Sequence, residues 1–148
     1  MRGSMTERSR TWWCALAVGA FVSNLVWENA HGVLYDHVIP GWVYLRAAGG
    51  DVLLVALGIG LAWPARRISD RAHVAASAVL LAVIAVVVER AALAEGRWGY
   101  TDLMPTIGGI GLSPLLQLPL TGLATWWFAS WWAGARGRRG TAVGSPTA

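Results

Sequence analysis

A chain of 148 residues leaves room for one compact unit, and this one is 55% hydrophobic and only 14% charged, against roughly 25% charged in a typical soluble domain. The basic residues are all arginine and fall in clusters: Arg2, Arg8 and Arg10 before the first apolar stretch, Arg66, Arg67 and Arg71 after the second, and Arg136, Arg138 and Arg139 after the fourth. That is how the cytoplasmic side of a membrane protein is marked, so nucleic acid is excluded as a partner, and the single Cys14 excludes an internal disulfide or a cysteine metal cluster.

Residues 1–10 form a short N-terminal segment expected to be cytoplasmic, and Met1–Ser4 reads as vector sequence or an alternative start. The first apolar stretch, Thr11–Tyr35, continues to Trp27 without a small-x-small cleavage site, so it is expected to be kept as a first span rather than removed as a signal peptide. Within it Asn24, Glu28, His31 and Tyr35 recur at i, i+4, i+7 and i+11, which places them on one helix face. A short loop holding His37 leads to the second stretch, Trp42–Trp63. This stretch carries Arg46 and Asp51, with Tyr44 and Ala47 on the Asp51 face and Gly49-Gly50 allowing a neighbouring helix to come close. Pro64 ends it, and Ser69 or Asp70 is placed to cap the third stretch, Ala72–Ala94. Glu89 and Arg90 lie near its far end, where they are expected to snorkel, while His37 and His73 are expected to be solvated at element ends.

After the loop Glu95–Pro105 comes the fourth stretch, Thr106–Ala133. Ser113, Gln117, Thr121 and Thr125 make a polar stripe along it, and Pro114 and Pro119 are expected to bend it. The remainder, 134–148, is rich in Gly, Arg, Ser and Pro and is expected to be a disordered cytoplasmic tail. Each apolar stretch reaches the roughly 20 residues that cross about 30 Å of hydrocarbon. The expected fold is therefore an all-α bundle of four transmembrane helices over residues 11–133, with both termini cytoplasmic, as a multi-pass protein of a bacterial inner membrane. Seven tryptophans (12, 13, 63, 126, 127, 131 and 132) suit the inner interface, leaving Trp27, Trp42 and Trp98 toward the outside.

An ionisable side chain at mid-bilayer costs roughly 2.5–3.5 kcal/mol, so such groups face a protein interior and carry function. Here Glu28, His31, Arg46, Asp51 and Glu89 all fall in the extracytoplasmic half, with Arg97, Trp98, Tyr100 and Asp102 in the loop above them. This predicts a polar pocket opening outward. Acid–base chemistry on a lipophilic molecule needs a carboxyl in an apolar pocket, where desolvation favours the protonated form, and aromatic faces to steady a developing cation. Glu28 is the expected acid, with His31, Asp51 and Glu89 relaying or tuning its proton. Asn24, Trp27, Tyr35, Trp42, Tyr44, Arg46, Trp98, Tyr100 and Gln117 are the expected binding residues. Arg46 serves as counter-ion for Asp51 or Glu28, or as an anchor for a phosphate head group. Asp102 caps the fourth span or lies at the pocket mouth. Glu28-x-x-His31 has the spacing of di-iron carboxylate bundles, but the second such motif and the further glutamates are missing, so no di-iron centre and no cofactor is expected; one metal held by Glu28, His31 and Asp51 or Glu89 stays as the alternative.

Trp27-Glu28, Leu34-Tyr35, Gly50-Asp51, Glu89, Gly96-Arg97-Trp98-Gly99-Tyr100, Met104-Pro105 and Ser113-Pro114-Leu115-Leu116-Gln117 together make the chain resemble a group of small four-span bacterial membrane proteins of unassigned activity. More distantly, Asn24-Leu25-Val26-Trp27-Glu28 is similar to the first-span Trp-Glu of integral-membrane terpene cyclases, a resemblance that implies an acid at Glu28 and an isoprenoid substrate. The leading expectation is acid–base chemistry on, or binding of, an isoprenoid or other lipid-like molecule, with membrane lipid as the surrounding partner. Beside it stand a small transporter or channel subunit that couples protons or cations through the same carboxylates, and a scaffold whose charges only join helices.

Overall fold

A computed structural model describes residues 5–36 and 40–142. The described residues are mostly helical, apart from the loop 95–105 and one short hairpin. Helix α1 spans Met5–His31, α2 Gly41–Leu61, α3 Asp70–Ala94 and α4 Leu112–Ala142. Two of them, α2 and α3, are long and apolar enough to cross a membrane. The remaining two carry more polar residues, and the fold turns five of these inward: Asn24 and His31 of α1, and Gln117, Thr121 and Thr125 of α4, are all buried.

Element boundaries follow local chemistry. α1 unwinds through a 3-10 turn at Gly32–Leu34. Pro64 sits in the first turn of a second 3-10 segment, Trp63–Arg67, that ends α2. Ser69, not Asp70, caps α3: its Oγ accepts the Ala72 N–H at 3.0 Å, while Asp70 takes Arg66 Nε at 3.2 Å. The fourth helix starts later than the apolar stretch. Thr106–Ile107 (β1) and Ile110–Gly111 (β2) pair antiparallel around Gly108 and Gly109, whose φ angles of +59° and +78° only glycine adopts freely. Pro114 consequently falls in the first turn of α4, where a missing N–H removes no helical bond; Pro119 is the proline inside the helix. α4 continues to Ala142, into the segment expected as a tail. Residues 143–148, Met1–Ser4 and His37 lie outside the described residues.

Each helix packs on its neighbours in the order α1, α2, α3, α4, and α1 closes the ring against α4. The apolar core is built by Leu16 and Ala20 of α1, Val55 and Ile59 of α2, Leu81 and Ala85 of α3, and Leu118 and Ala129 of α4. Leu81 is its wedge. A Cβ placed on Gly58 or on Gly122 would come within 2.6 Å of a Leu81 methyl, so glycine on both flanking helices is what admits the side chain.

The outer faces of the bundle are apolar as well as its core. Apolar residues four apart line the outer faces: Val18, Val22 and Val26; Leu53, Leu57 and Leu61; Val79, Val83 and Val87, with Leu53 71% exposed. Polar side chains are buried beside the apolar core, with Asn24 and His73 at 0% exposure. His73 is thereby not the solvated histidine its position at a helix end suggests. The turn after α2 brings it under Trp63 and Trp126, with ring centroids 5.6 and 6.2 Å away, and its Nε2–H donates to the Ile59 carbonyl at 3.3 Å. Its Nδ1 and the Ser77 hydroxyl one turn on find no partner among the described residues.

Candidate functional site

At the end of the bundle opposite the Trp63–Arg67 turn, the segment 95–105 folds back over the helices. Tyr35 and Tyr100 form an antiparallel bridge, Thr101 N–H donates to the Leu34 carbonyl at 2.9 Å, and Asp36 N–H donates to the Gly99 carbonyl at 3.2 Å. Asp36 returns the bond, its Oδ1 accepting Gly99 N–H at 3.1 Å; a Cβ on Gly99 would collide with that carboxylate. The backbone of α1's exit thus holds the aromatic residues of the loop in place.

Beneath this cover lies a cavity of about 260 Å³, bordered by all three interior carboxylates, Glu28, Asp51 and Glu89, and by Gln117. One amide organises it. Gln117 Nε2, brought in from α4, lies 2.9 Å from Glu28 Oε1 of α1 and 2.9 Å from Asp51 Oδ2 of α2. The two carboxylate oxygens can therefore be no farther apart than twice that distance. The same nitrogen lies 3.3 Å from Asn24 Oδ1, which Thr121 Oγ1 also approaches at 3.0 Å. An amide has two hydrogens for these three acceptors, so not all can be filled at once. Asn24 Nδ2 is spent within α1, on the Ala20 carbonyl at 2.9 Å.

Glu89 is held differently. Its Oε1 accepts Trp98 Nε1–H at 3.0 Å and also the Tyr100 hydroxyl, whose oxygen in turn accepts Gly111 N–H at 2.9 Å. Burial, and then the bond to Glu89, push the Tyr100 phenol above its ordinary pKa, against an opposing effect of the Gly111 N–H, so it remains a donor. Glu89 is 4% exposed: it turns into the bundle instead of snorkelling, and Arg90 beside it is the residue that faces out.

His31 backs the site. Its Nδ1–H must donate to the Trp27 carbonyl, 2.6 Å away, because a carbonyl can only accept. That leaves Nε2, in the neutral ring, to accept the Tyr35 hydroxyl at 3.2 Å, with Glu28 Oε2 at 3.9 Å. Tyr35 stacks onward to Trp98 and Tyr100, at centroid distances of 5.9 and 6.0 Å.

Of the residues expected from sequence, Glu28, Tyr35, Tyr44, Asp51, Glu89, Trp98, Arg46 and Gln117 border the cavity. Asn24, His31 and Tyr100 stand one bond behind it. Trp27 instead joins α1 to α4, donating to Ser113 Oγ at 3.2 Å. Trp42 is 62% exposed, outside the cavity, with the Arg46 guanidinium 6.0 Å from its ring. Arg46 is exposed and forms no ion pair among the described residues, so it is not the counter-ion of Asp51 or Glu28. Asp102 is exposed in the loop and its side chain makes no capping bond among the described residues. Sequence reading passed over Arg97 as a lining residue; it reaches the rim while paired with Glu95 at 2.9 Å and lying 5.4 Å from the Trp98 ring. Its only signal is its neighbour Trp98. Comparison with protein-family models, with curated proteins and with solved structures gives no match to this chain.

Proposed function

We propose that all four helices cross a membrane, with both ends of the chain cytoplasmic and the 95–105 cover outside, and that the chain binds a lipid-like molecule in the cavity and exchanges a proton with it at the Glu28–Asp51 pair. Membrane placement is supported by the outward valine and leucine stripes on α1, α2 and α3, which water would penalise and hydrocarbon favours, and by the polar side chains held between the helices. Arginines 66, 67 and 71 at the opposite end from the cover support the orientation.

The observation that carries the chemical part is the meeting of two carboxylates on one amide at the wall of a cavity. Like charges this close need a proton or a cation between them, which suits the pair to give and take a proton. Tyr35 and Trp98 present rings to the same space, where a lipophilic body would lie. A pure scaffold is less well supported, since acids that only joined helices would pair with arginine, and none of the three has an arginine within ion-pair reach among the described residues. A transport path would have to pass inward beyond Ser23 and Thr125, 3.4 Å apart, where the apolar core around Leu16 and Ala20 takes over.

Native mass spectrometry with lipid extraction tests the proposal. A specific lipid-like adduct is expected on wild type, with reduced or altered retention in Glu28→Gln. A bare protein in both samples would overturn it.

A further inference from the structure

Each of the three cavity carboxylates uses one oxygen for the protein and leaves the other open. Glu28 Oε1 and Asp51 Oδ2 take Gln117, and Glu89 Oε1 takes both Trp98 and Tyr100. No hydrogen bond reaches Glu28 Oε2, Asp51 Oδ1 or Glu89 Oε2 from any described residue; His31 Nε2 stands 3.9 Å from Glu28 Oε2. Glu89 is the informative one: its side chain is more than nine-tenths buried and borders the cavity, yet its second oxygen is not among the buried atoms that lack a partner, so it stays accessible. An accessible carboxylate oxygen at a cavity wall is open to a donor that arrives from outside the chain.

Among the described residues no three His, Cys, Asp or Glu side chains come close enough to share a metal ion, so the open oxygens of the Glu28–Asp51 pair and of Glu89 do not converge on one point. Spread acceptors of negative charge call for a cation whose hydrogens point in several directions. The wall between them is aromatic and apolar: Tyr35, Trp98, Leu54, Ala85 and Val88. The arginines do not oppose this. Arg97 is tied to Glu95, and Arg46 stands exposed at the rim, where it can face a head-group phosphate or water.

We infer that the molecule bound in this cavity carries a protonated amine, its N–H groups donating to the open oxygens of Glu28, Asp51 and Glu89 while its apolar body lies against Tyr35, Trp98 and Leu54. The inference rests on the pocket proposed above and names the chemical class it takes, a lipophilic ammonium. Charge-assisted hydrogen bonds supply the selectivity, and the aromatic faces supply further attraction for the cation.

The test uses the full chain in detergent micelles and three probes of equal chain length: n-octylamine, n-octanol and octyltrimethylammonium. Binding is read by native mass spectrometry and by competition against octylamine. Octylamine is expected to bind wild type at least tenfold more tightly than octanol, and octyltrimethylammonium, which has charge but no N–H, to fall between them. Glu89→Gln and Asp51→Asn should each weaken octylamine by roughly tenfold while leaving octanol within about twofold. The comparison of probes on wild type stands even if a variant fails to fold. Octanol binding as tightly as octylamine would overturn the ammonium assignment and leave the lipid pocket standing. Octyltrimethylammonium binding as tightly as octylamine would overturn the donor geometry. Failure of all three probes, together with no extracted lipid, would overturn the pocket and the assignment together.

Discussion

Replacing Gln117 with methionine keeps the length and volume of the side chain and removes only its hydrogen bonding. Two amide hydrogens are lost to a site that includes two carboxylate oxygens at 2.9 Å. A hydrogen bond to a charged group contributes about 1.5–3 kcal/mol, and carboxylates left without their donor add a desolvation penalty. Regained burial of the thioether and partial relaxation offset part of this, so the net loss should be about 3 kcal/mol. For a chain of this size a kilocalorie shifts the melting temperature by about 2–4 °C, so the variant should melt on the order of 10 °C below wild type. Thermal unfolding in detergent, followed by near-ultraviolet circular dichroism, measures it. Part of the loss should vanish in a Glu28→Gln background, with a coupling of about 0.5–3 kcal/mol in the double-mutant cycle. A Gln117→Met protein melting within about 2 °C of wild type would refute the idea that this amide joins three helices.

Gly122→Ala pushes a methyl into Leu81, at 2.6 Å, and should destabilise by about 1–3 kcal/mol; Leu81→Val should relieve much of it, and additive losses in unfolding experiments would count against the wedge. Ser77→Ala removes a buried hydroxyl with no partner and should leave stability unchanged or raise it by up to about 1 kcal/mol; a loss of that size would show that the hydroxyl is satisfied. Because burial and Glu89 raise the Tyr100 pKa above the unfolded value of about 10, the folded chain holds that proton more tightly, and the stability it contributes is lost as pH rises through that range. Wild type should accordingly lose more stability than Tyr100→Phe between about pH 9 and 11, and parallel losses in the two proteins would refute the assignment.

What could be read from the sequence was whatever repeats along one helix. The Asn24–Glu28–His31–Tyr35 face and the Ser113–Gln117–Thr121–Thr125 stripe both turn inward as their spacing requires, with Asn24, His31, Gln117, Thr121 and Thr125 buried. What could not be read depends on contacts between elements distant in the chain. Gln117 is one polar residue of four in its stripe, and nothing local marks it as the residue that reaches both Glu28 and Asp51. Trp98 and Tyr100 look like loop aromatics until the backbone bonds to Leu34 and Asp36 fold the loop down onto Glu89. The start of α4 was misplaced because Thr106–Gly111 is apolar enough to extend a span, and only the left-handed backbone at Gly108 and Gly109 interrupts it. His73 was misjudged from its place at a helix terminus, when burial there is decided by Trp63 and Trp126.

Leu81 and the residues around it have an electrical consequence. They separate the three carboxylates from His73 and Ser77 by a layer that is both dry and apolar, with Leu81, Val55 and Ile59 all at 0% exposure. In the proposed membrane placement, most of a transmembrane voltage would fall across that layer. Carrying one charge through the whole field is worth about 2.3 kcal/mol per 100 mV, but a cation that stops at Glu28 and Asp51 traverses only the outer fraction of it. Occupancy of the cavity should thus be almost indifferent to membrane voltage, leaving the site able to respond to the chemistry outside the cell while the potential across the membrane rises and falls.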